Sequence, residues 1–155
     1  MNIKSPHAAD LRRGRVSIQY QVYPVTTVIR DRQPLIGSLY AGRIVVRSLQ
    51  YAAECGHAET LAYVVMPDHL HWLLSLRGEV ALPTVVSNMK RHTSRQINLQ
   101  RGEVGKGIWQ RGFHDHALRD EEALPEVAHY IVANPLRAGL VKSVRDYSLW
   151  DAMWL

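Results

Sequence analysis

Apolar and polar residues alternate from the first strongly patterned stretch of the chain. Val16, Ile18, Tyr20 and Val22 are separated by polar residues, the period of a half-buried strand. The apolar character continues to Ile29, so Val16–Ile29 is predicted as one long, interrupted strand. Pro24 lacks an amide hydrogen and marks a bulge or an edge position within it. Arg30–Pro34 forms the turn out. The period then changes: Leu35, Leu39, Val46, Leu49 and Ala53 make a helical stripe over Leu35–Glu54, with Gly56 placed as its C-cap. Glu59–Met66 is strand-like again. Pro67-Asp68 makes a tight turn and His69–Leu76 the next strand, so the two runs predict an antiparallel hairpin. Leu82–Leu99 reads as a second amphipathic helix, with Pro83 in its first turn and Leu82, Val85, Val86, Met89 and Ile97 inward.

Beyond a glycine-containing loop, Phe113–Leu118 is predicted as a short strand. A third helix starts between Asp120 and Pro125 and runs to about Asn134. Asp120 suits an N-cap, with Glu121 and Glu122 in the first turn. Pro125 favours instead a start near Leu124, with the proline at the first position. Asn134-Pro135 ends or kinks the helix. Leu136–Leu155, with Tyr147, Trp150 and Trp154, is expected to pack back on the body.

The order β-α-β-β-α-β-α predicts an α+β fold: a small antiparallel sheet with helices packed on one face. A length of 155 residues suits one domain, 1–155, with 1–14 as a basic N-terminal arm and 142–155 as a C-terminal tail. No apolar run approaches a membrane span, and Met1–His7 shows no apolar segment after a basic start. The single cysteine, Cys55, excludes an intrachain disulfide and a cysteine-based zinc site. A cytoplasmic protein without a membrane partner is expected.

The net charge of +5 points to a polyanionic partner, nucleic acid before others. The candidate phosphate contacts are Arg12, Arg13 and Arg15 in the arm, Lys90, Arg91 and Arg95 within about two turns of the second helix, and Arg111. The glycines of Arg101–Gly107 lack the spacing of a phosphate-binding P-loop.

Two pairs of residues carry the candidate chemistry. On a strand, His69 and His71 point to one side and Leu70 and Trp72 to the other, and two adjacent imidazoles can hold a metal ion. Alone, His-x-His is more often two polar residues on a wet face. Tyr130 and Asn134, at i and i+4, share a helix face. Taken together, the pairs suggest a divalent ion on two imidazoles and an amide oxygen, with open positions for a phosphate. Attack by Tyr130 on that phosphorus would store the bond energy in a phosphotyrosine. His114-Asp115-His116 is a second, lower-ranked His-x-His, in which Asp115 and His116 could orient a ligand histidine.

The blocks Met66-Pro-Asp-His-Leu-His71, Ile108-Trp-Gln-Arg-Gly-Phe-His-Asp-His-Ala-Leu-Arg-Asp120 and Tyr130-Ile-Val-Ala-Asn-Pro-Leu-Arg-Ala-Gly-Leu-Val141 go further. With them, nearly the whole chain resembles the REP-associated tyrosine transposases, a branch of the single-tyrosine HUH transposases of bacterial insertion sequences. That resemblance implies a ferredoxin-like fold related to the RNA-recognition fold. It implies Mg2+ or Mn2+ as cofactor and single-stranded or hairpin DNA as partner. Cleavage next to hairpins would leave a 5′-phosphotyrosine and a free 3′-hydroxyl. Carried over by motif, His69 and His71 are metal ligands, Asn134 the third ligand and Tyr130 the nucleophile. The implied setting is a bacterial nucleoid, and the implied state a monomer or homodimer. The alternative is a domesticated protein that binds hairpin DNA without cutting it. An RNA-recognition domain would need an Arg/Lys-Gly-Phe/Tyr-Gly/Ala-Phe-Val run, which this chain lacks. A metal hydrolase would use water and survive loss of Tyr130.

Overall fold

The computed structural model describes residues 20–115, 118 and 123–154. Among the described residues, five strands form one antiparallel sheet: β1 (Val22–Val28), β2 (Ala58–Val65), β3 (His69–Leu76), β4 (His114–Asp115) and β5 (Trp150–Ala152), in the spatial order β4-β1-β3-β2-β5. The helices are α1 (Leu39–Glu54), α2 (Leu82–Arg101), α3 (Leu124–Val132) and the single turn α4 (Asn134–Arg137). The α+β class and the antiparallel sheet agree with the hydrophobic pattern. Among the described residues, no helix is long and apolar enough to cross a membrane.

β3 is the centre of the sheet. It pairs with β1 from Val22↔Ser75 to Val28↔His69, and with β2 from Ala58↔Leu76 to Val65↔Leu70. Strand alternation sends Leu70, Trp72, Leu74 and Leu76 to one face, where they join Val45 and Leu49 of α1 and Val85, Val86 and Met89 of α2 in the main core. Trp72 is fully buried there and donates its indole N–H to Thr60 Oγ1 at 2.9 Å, which satisfies its one polar group.

Two helices therefore lie on one face, as expected. The third does not: Ala128, Ile131 and Val132 of α3 pack on the opposite face, against Leu61, Ala62, Val64 and Leu73. A bulge makes this possible. The register of β2 shifts between Thr60 and Ala62, so Thr60 stands opposite Leu74 but Ala62 opposite Leu73. One extra residue, Leu61, changes which side of β2 is apolar and supplies a second, smaller core for α3. The histidines share the face of Leu73, so α3 and the His pair lie on the same side of the sheet.

Several predicted boundaries shift. β1 begins at Val22, and residues 16–19 lie outside the described residues. Pro24 behaves as an edge residue. Val22 and Val28 turn their carbonyls outward, to Leu118 N and Gln110 N, so Pro24 shares their phase, and β4 reaches only Val25 and Thr26. α1 starts at Leu39, because Ser38 caps it by accepting from Ala41 N at 3.1 Å. Gly56 follows its C-cap, Cys55, with φ 73°. α3 starts at Leu124 with Pro125 in its first turn, and Ala123 takes the N-cap position. Asp120 and the rest of 119–122 lie outside the described residues. The C-terminal stretch is more than a packed tail. β5 adds an edge strand beside β2, and Leu149 enters the main core over Gly42.

Candidate active site

The turn before β3 is held by backbone hydrogen bonds on three sides. Ile29 N donates to Asp68 O at 2.8 Å, Ile36 N to Pro67 O at 3.1 Å, and Met66 N to His69 O at 2.8 Å. This fixes the first residues of β3, and with them His69 and His71. The two rings lie 4.9 Å apart, centroid to centroid, and meet edge to face.

Each ring is held by its Nδ1. His69 Nδ1 lies 2.6 Å from Asp68 Oδ1, and His71 Nδ1 lies 2.9 Å from Thr26 Oγ1 across the β1–β3 pair. A carboxylate only accepts, so Asp68 places the His69 proton on Nδ1; the Thr26 hydroxyl both donates and accepts, and permits the same tautomer at His71. Nε2 is then the nitrogen left to both imidazoles for a ligand bond, the arrangement in which a partner on one ring nitrogen orients the other toward a metal.

The electrostatics agree. Burial, then the neighbouring His69, then the charge of Arg137 lower the His71 pKa to about 4, so this ring is neutral at physiological pH, as a metal ligand must be. Asp68 is pulled two ways. Burial raises its pKa, but hydrogen bonds and charge from His69 and Arg32 outweigh burial and leave it below the usual carboxylate value. Arg32 Nη1 stands 3.4 Å from Asp68 Oδ2.

Tyr130 sits in the last turns of α3, two-thirds exposed. Asn134 follows the helix break at Ala133, and its Nδ2 donates to Ile131 O at 2.9 Å, leaving Oδ1 as the oxygen still available. Arg137 is fastened to Tyr130. Its guanidinium lies 3.8 Å over the Tyr130 ring and donates to Tyr130 O at 2.7 Å, while its charge also acts on His71. No hydrogen bond among the described residues connects Tyr130 or Asn134 directly to the histidines. What brings the halves to one side of the sheet is the packing of Ile131 and Val132 onto Val64 and Leu73, with Val64 the β2 neighbour of His71.

The donor set suits a hard or borderline divalent ion. Two neutral imidazoles and one amide oxygen leave coordination positions for phosphate or water. Among the described residues, no group of three His, Cys, Asp or Glu side chains offers another site.

The second His-x-His divides. His114 pairs with Thr26, which pairs with His71, so His71, Thr26 and His114 make a row across one face. Asp115 pairs with Val25, on the Trp72 face, and so takes a register position turned away from the ligand histidines; the residues that hold their Nδ1 atoms are Asp68 and Thr26 instead. His116 lies outside the described residues, as do Arg12, Arg13 and Arg15.

The other four basic candidates converge. Lys90, Arg91, Arg95 and Arg111 all line a cleft of about 810 Å³ between α2 and residues 103–113. Arg91, Arg95 and Arg111 are exposed there. Lys90 is committed: Nζ donates to Gln110 O at 2.8 Å and to Gly112 O, and so ties the far wall of the cleft to α2. Trp109 belongs to the core, 5% exposed, with its indole N–H on Thr93 Oγ1 at 2.8 Å. Residues 110–113 also line a smaller groove with Thr26, Val28 and His114 on the histidine face. The basic cleft and the histidine face thus share one wall.

Sequence reasoning missed Thr26, Asp68 and Arg137. Asp68 adjoins His69 and could have been noticed from that alone. Arg137 is seven residues, about two helical turns, beyond Tyr130. Thr26 carries no local signal, since only sheet register brings it to His71.

Comparison with known proteins gives this geometry its context. The family model described as "Transposase IS200 like" matches residues 17–134. A Haemophilus influenzae protein named as a REP-associated tyrosine transposase is 32% identical over 137 residues, which are 81% of this chain and 76% of that one. The REP-associated tyrosine transposase of Escherichia coli is 31% identical over 90 residues, covering 57% of this chain and 51% of its own length. A solved structure of a REP-associated tyrosine transposase bound to a REP hairpin superimposes with TM-score 0.69 at 26% identity, covering 88% of this chain and 79% of that one. The chain belongs to the IS200-like transposase family and, within it, to the REP-associated tyrosine transposases.

Proposed function

We propose that this protein is a metal-dependent DNA-strand transferase that cuts and rejoins single-stranded DNA beside a hairpin through Tyr130. The observation that carries the reading is the imidazole pair with both Nδ1 atoms occupied, on the same sheet face as the helix that bears Tyr130 and that Asn134 closely follows. The solved relative bound to a REP hairpin supports hairpin DNA as the partner.

Mg2+ or Mn2+ would be held by Nε2 of His69 and His71 and by Oδ1 of Asn134. Bound there, the ion supplies Lewis-acid polarisation of a phosphoryl oxygen. The chain's own residues do the rest. Asp68 keeps the His69 imidazole in the ligand tautomer, and Thr26 occupies Nδ1 of His71 and so leaves Nε2 for the ion. Arg91, Arg95 and Arg111 attract the phosphates of the DNA in the α2 cleft, and the wall at residues 110–113 leads the strand onto the histidine face. Tyr130 Oη attacks the phosphorus. The Oη–P bond forms and the P–O3′ bond breaks; the phenol gives up its proton and the departing 3′ oxygen gains one. The phosphodiester energy stays in the 5′-phosphotyrosine, so a 3′-hydroxyl can reverse the step without ATP.

The test is incubation with Mn2+ and a hairpin carrying single-stranded flanks. A covalent protein–DNA adduct is expected from the native chain and none from Tyr130→Phe. An adduct that persists in Tyr130→Phe overturns the nucleophile assignment. Hairpin binding with no cleavage of any substrate favours the non-catalytic binding protein instead.

A further inference from the structure

A groove of about 80 Å³ lies beside the histidine pair, with Thr26, Val28, Arg111 and His114 in its walls. Sheet register places it. Thr26 stands opposite His71 and Val28 opposite His69, so the near wall of the groove is one strand away from both imidazoles. The far wall is the segment 110–114, where His114 stands opposite Thr26. His114 and His71 are therefore two strand spacings apart on one face, roughly 10 Å. Arg111 and His114 are three residues apart and would leave a regular strand on opposite sides. Gly112, at φ 72°, breaks the alternation between them, and both line the groove. Both side chains are exposed. Among the described residues, no hydrogen bond engages the His114 imidazole. The segment itself is tied down: Gln110 N donates to Val28 O at 2.8 Å, and Lys90 Nζ donates to Gln110 O at 2.8 Å and to Gly112 O. Asp115, the carboxylate next in sequence, takes a register position on the opposite face.

We infer that Arg111 and His114 form a binding subsite for one backbone phosphate of the single strand, a close neighbour of the phosphate that Tyr130 attacks. This rests on the function proposed above and deepens it, by naming residues that set where on the strand the cut falls. The oxygens of a phosphodiester only accept hydrogen bonds. The guanidinium offers them a fork of N–H donors, and the imidazole offers a ring N–H in either charge state. A strand that advances at least about 3.4 Å per nucleotide covers the roughly 10 Å from His114 to His71 in about three nucleotides or fewer. With one phosphate pinned in the groove, the strand cannot slide past the histidine pair, and the attacked linkage is set by its distance from the pinned one. Arg111 also lines the α2 cleft, so the subsite is the last phosphate contact on the way from that cleft to the reaction centre.

The experiment measures binding of a hairpin DNA with single-stranded flanks by fluorescence anisotropy, with EDTA present so that no metal-dependent step runs. Each DNA of a series carries one neutral methylphosphonate linkage, moved stepwise along the flanks. In the native chain, the neutral linkage should weaken binding by about 10-fold wherever it removes a gripped phosphate. In His114→Ala, and separately in Arg111→Gln, unmodified DNA should bind about 10-fold more weakly. One position, the same in both variants, should then lose its penalty, because the contact is already gone. That position should lie within about three nucleotides of the linkage that the native chain cuts when Mn2+ is supplied. Thermal melting checks folding, and His114→Phe, which keeps a ring but no donor, replaces His114→Ala if the latter does not fold. Penalties that stay unchanged at every position in a folded His114 variant overturn the inference. So do penalties that fall equally at all positions, or a coupled linkage far from the cut. A chain that binds hairpin DNA but forms no adduct with Mn2+ overturns the transferase reading, and the placement of the subsite beside a cut with it. A chain that binds no hairpin DNA overturns both.

Discussion

Thr26 and His71, 45 residues apart in sequence, meet across β1 and β3 with Oγ1 and Nδ1 at 2.9 Å. That contact decides which nitrogen of a mostly buried imidazole is left to face a ligand. It predicts that Thr26→Val, nearly the same shape without the hydroxyl, weakens Mn2+ binding by about 10- to 100-fold. It should also cost about 1–3 kcal/mol of stability, because Nδ1 is left buried and unpaired. Isothermal titration and chemical denaturation measure the two effects. Unchanged metal affinity would show that Thr26 only fills space.

The low His71 pKa makes stability depend on pH in a defined direction. The unfolded imidazole titrates near its ordinary value of 6.5, and the folded one at about 4. Between these values the unfolded chain binds the extra proton and the folded chain does not, so stability rises with pH in this window. The contribution is complete above about pH 6.5 and is lost as pH falls toward 4. Its size is on the order of 3 kcal/mol. Denaturation at a series of pH values should show the slope in the native chain and a shallower one in His71→Gln; equal slopes would count against this assignment.

The basic residues of the α2 cleft should separate into two kinds. Arg91, Arg95 and Arg111 are exposed on its walls, so removing any one should lower the slope of log affinity against log salt by about 1. Lys90 is bonded to Gln110 O and Gly112 O. Lys90→Met should therefore weaken hairpin binding while leaving the salt slope nearly unchanged. Binding titrations at four or five salt concentrations distinguish the two patterns. A lost unit of slope in Lys90→Met would make it a phosphate contact after all.

Gly42 and Leu149 tie the C-terminal stretch to α1. A Cβ at position 42 would overlap the end of the Leu149 side chain, which is itself buried. Gly42→Ala should cost roughly 1–3 kcal/mol, the usual penalty of overpacking. Adding Leu149→Ala should recover part of it, since the second change opens the space the first one needs. Thermal melts of the two single variants and the double variant give the coupling directly. Simple additivity would mean that the stretch adjusts without strain.

The sequence alone determined much of this molecule, because the determining signals are local. Period 2 in Leu70–Leu76 and period 3.6 in α1 and α2 report which side of each element is apolar. A proline at the start of α3 and another after Asn134 report where a helix can begin and end. His69 and His71 fall on one face by strand geometry alone, and Tyr130 and Asn134 lie within about one helical turn of each other. Of the short elements, β4 falls within the strand predicted over Phe113–Leu118, whereas β5, with three residues, is too short to show a period. Only the tertiary structure decided how the site is put together. Leu61 bulges from β2 and gives α3 an apolar seat on the histidine face; sheet register sets Thr26 against His71; and the turn after Ala133 lays Arg137 over Tyr130. Each of these is a contact between residues whose neighbours in sequence carry no hint of it, because register and packing are properties of the whole sheet.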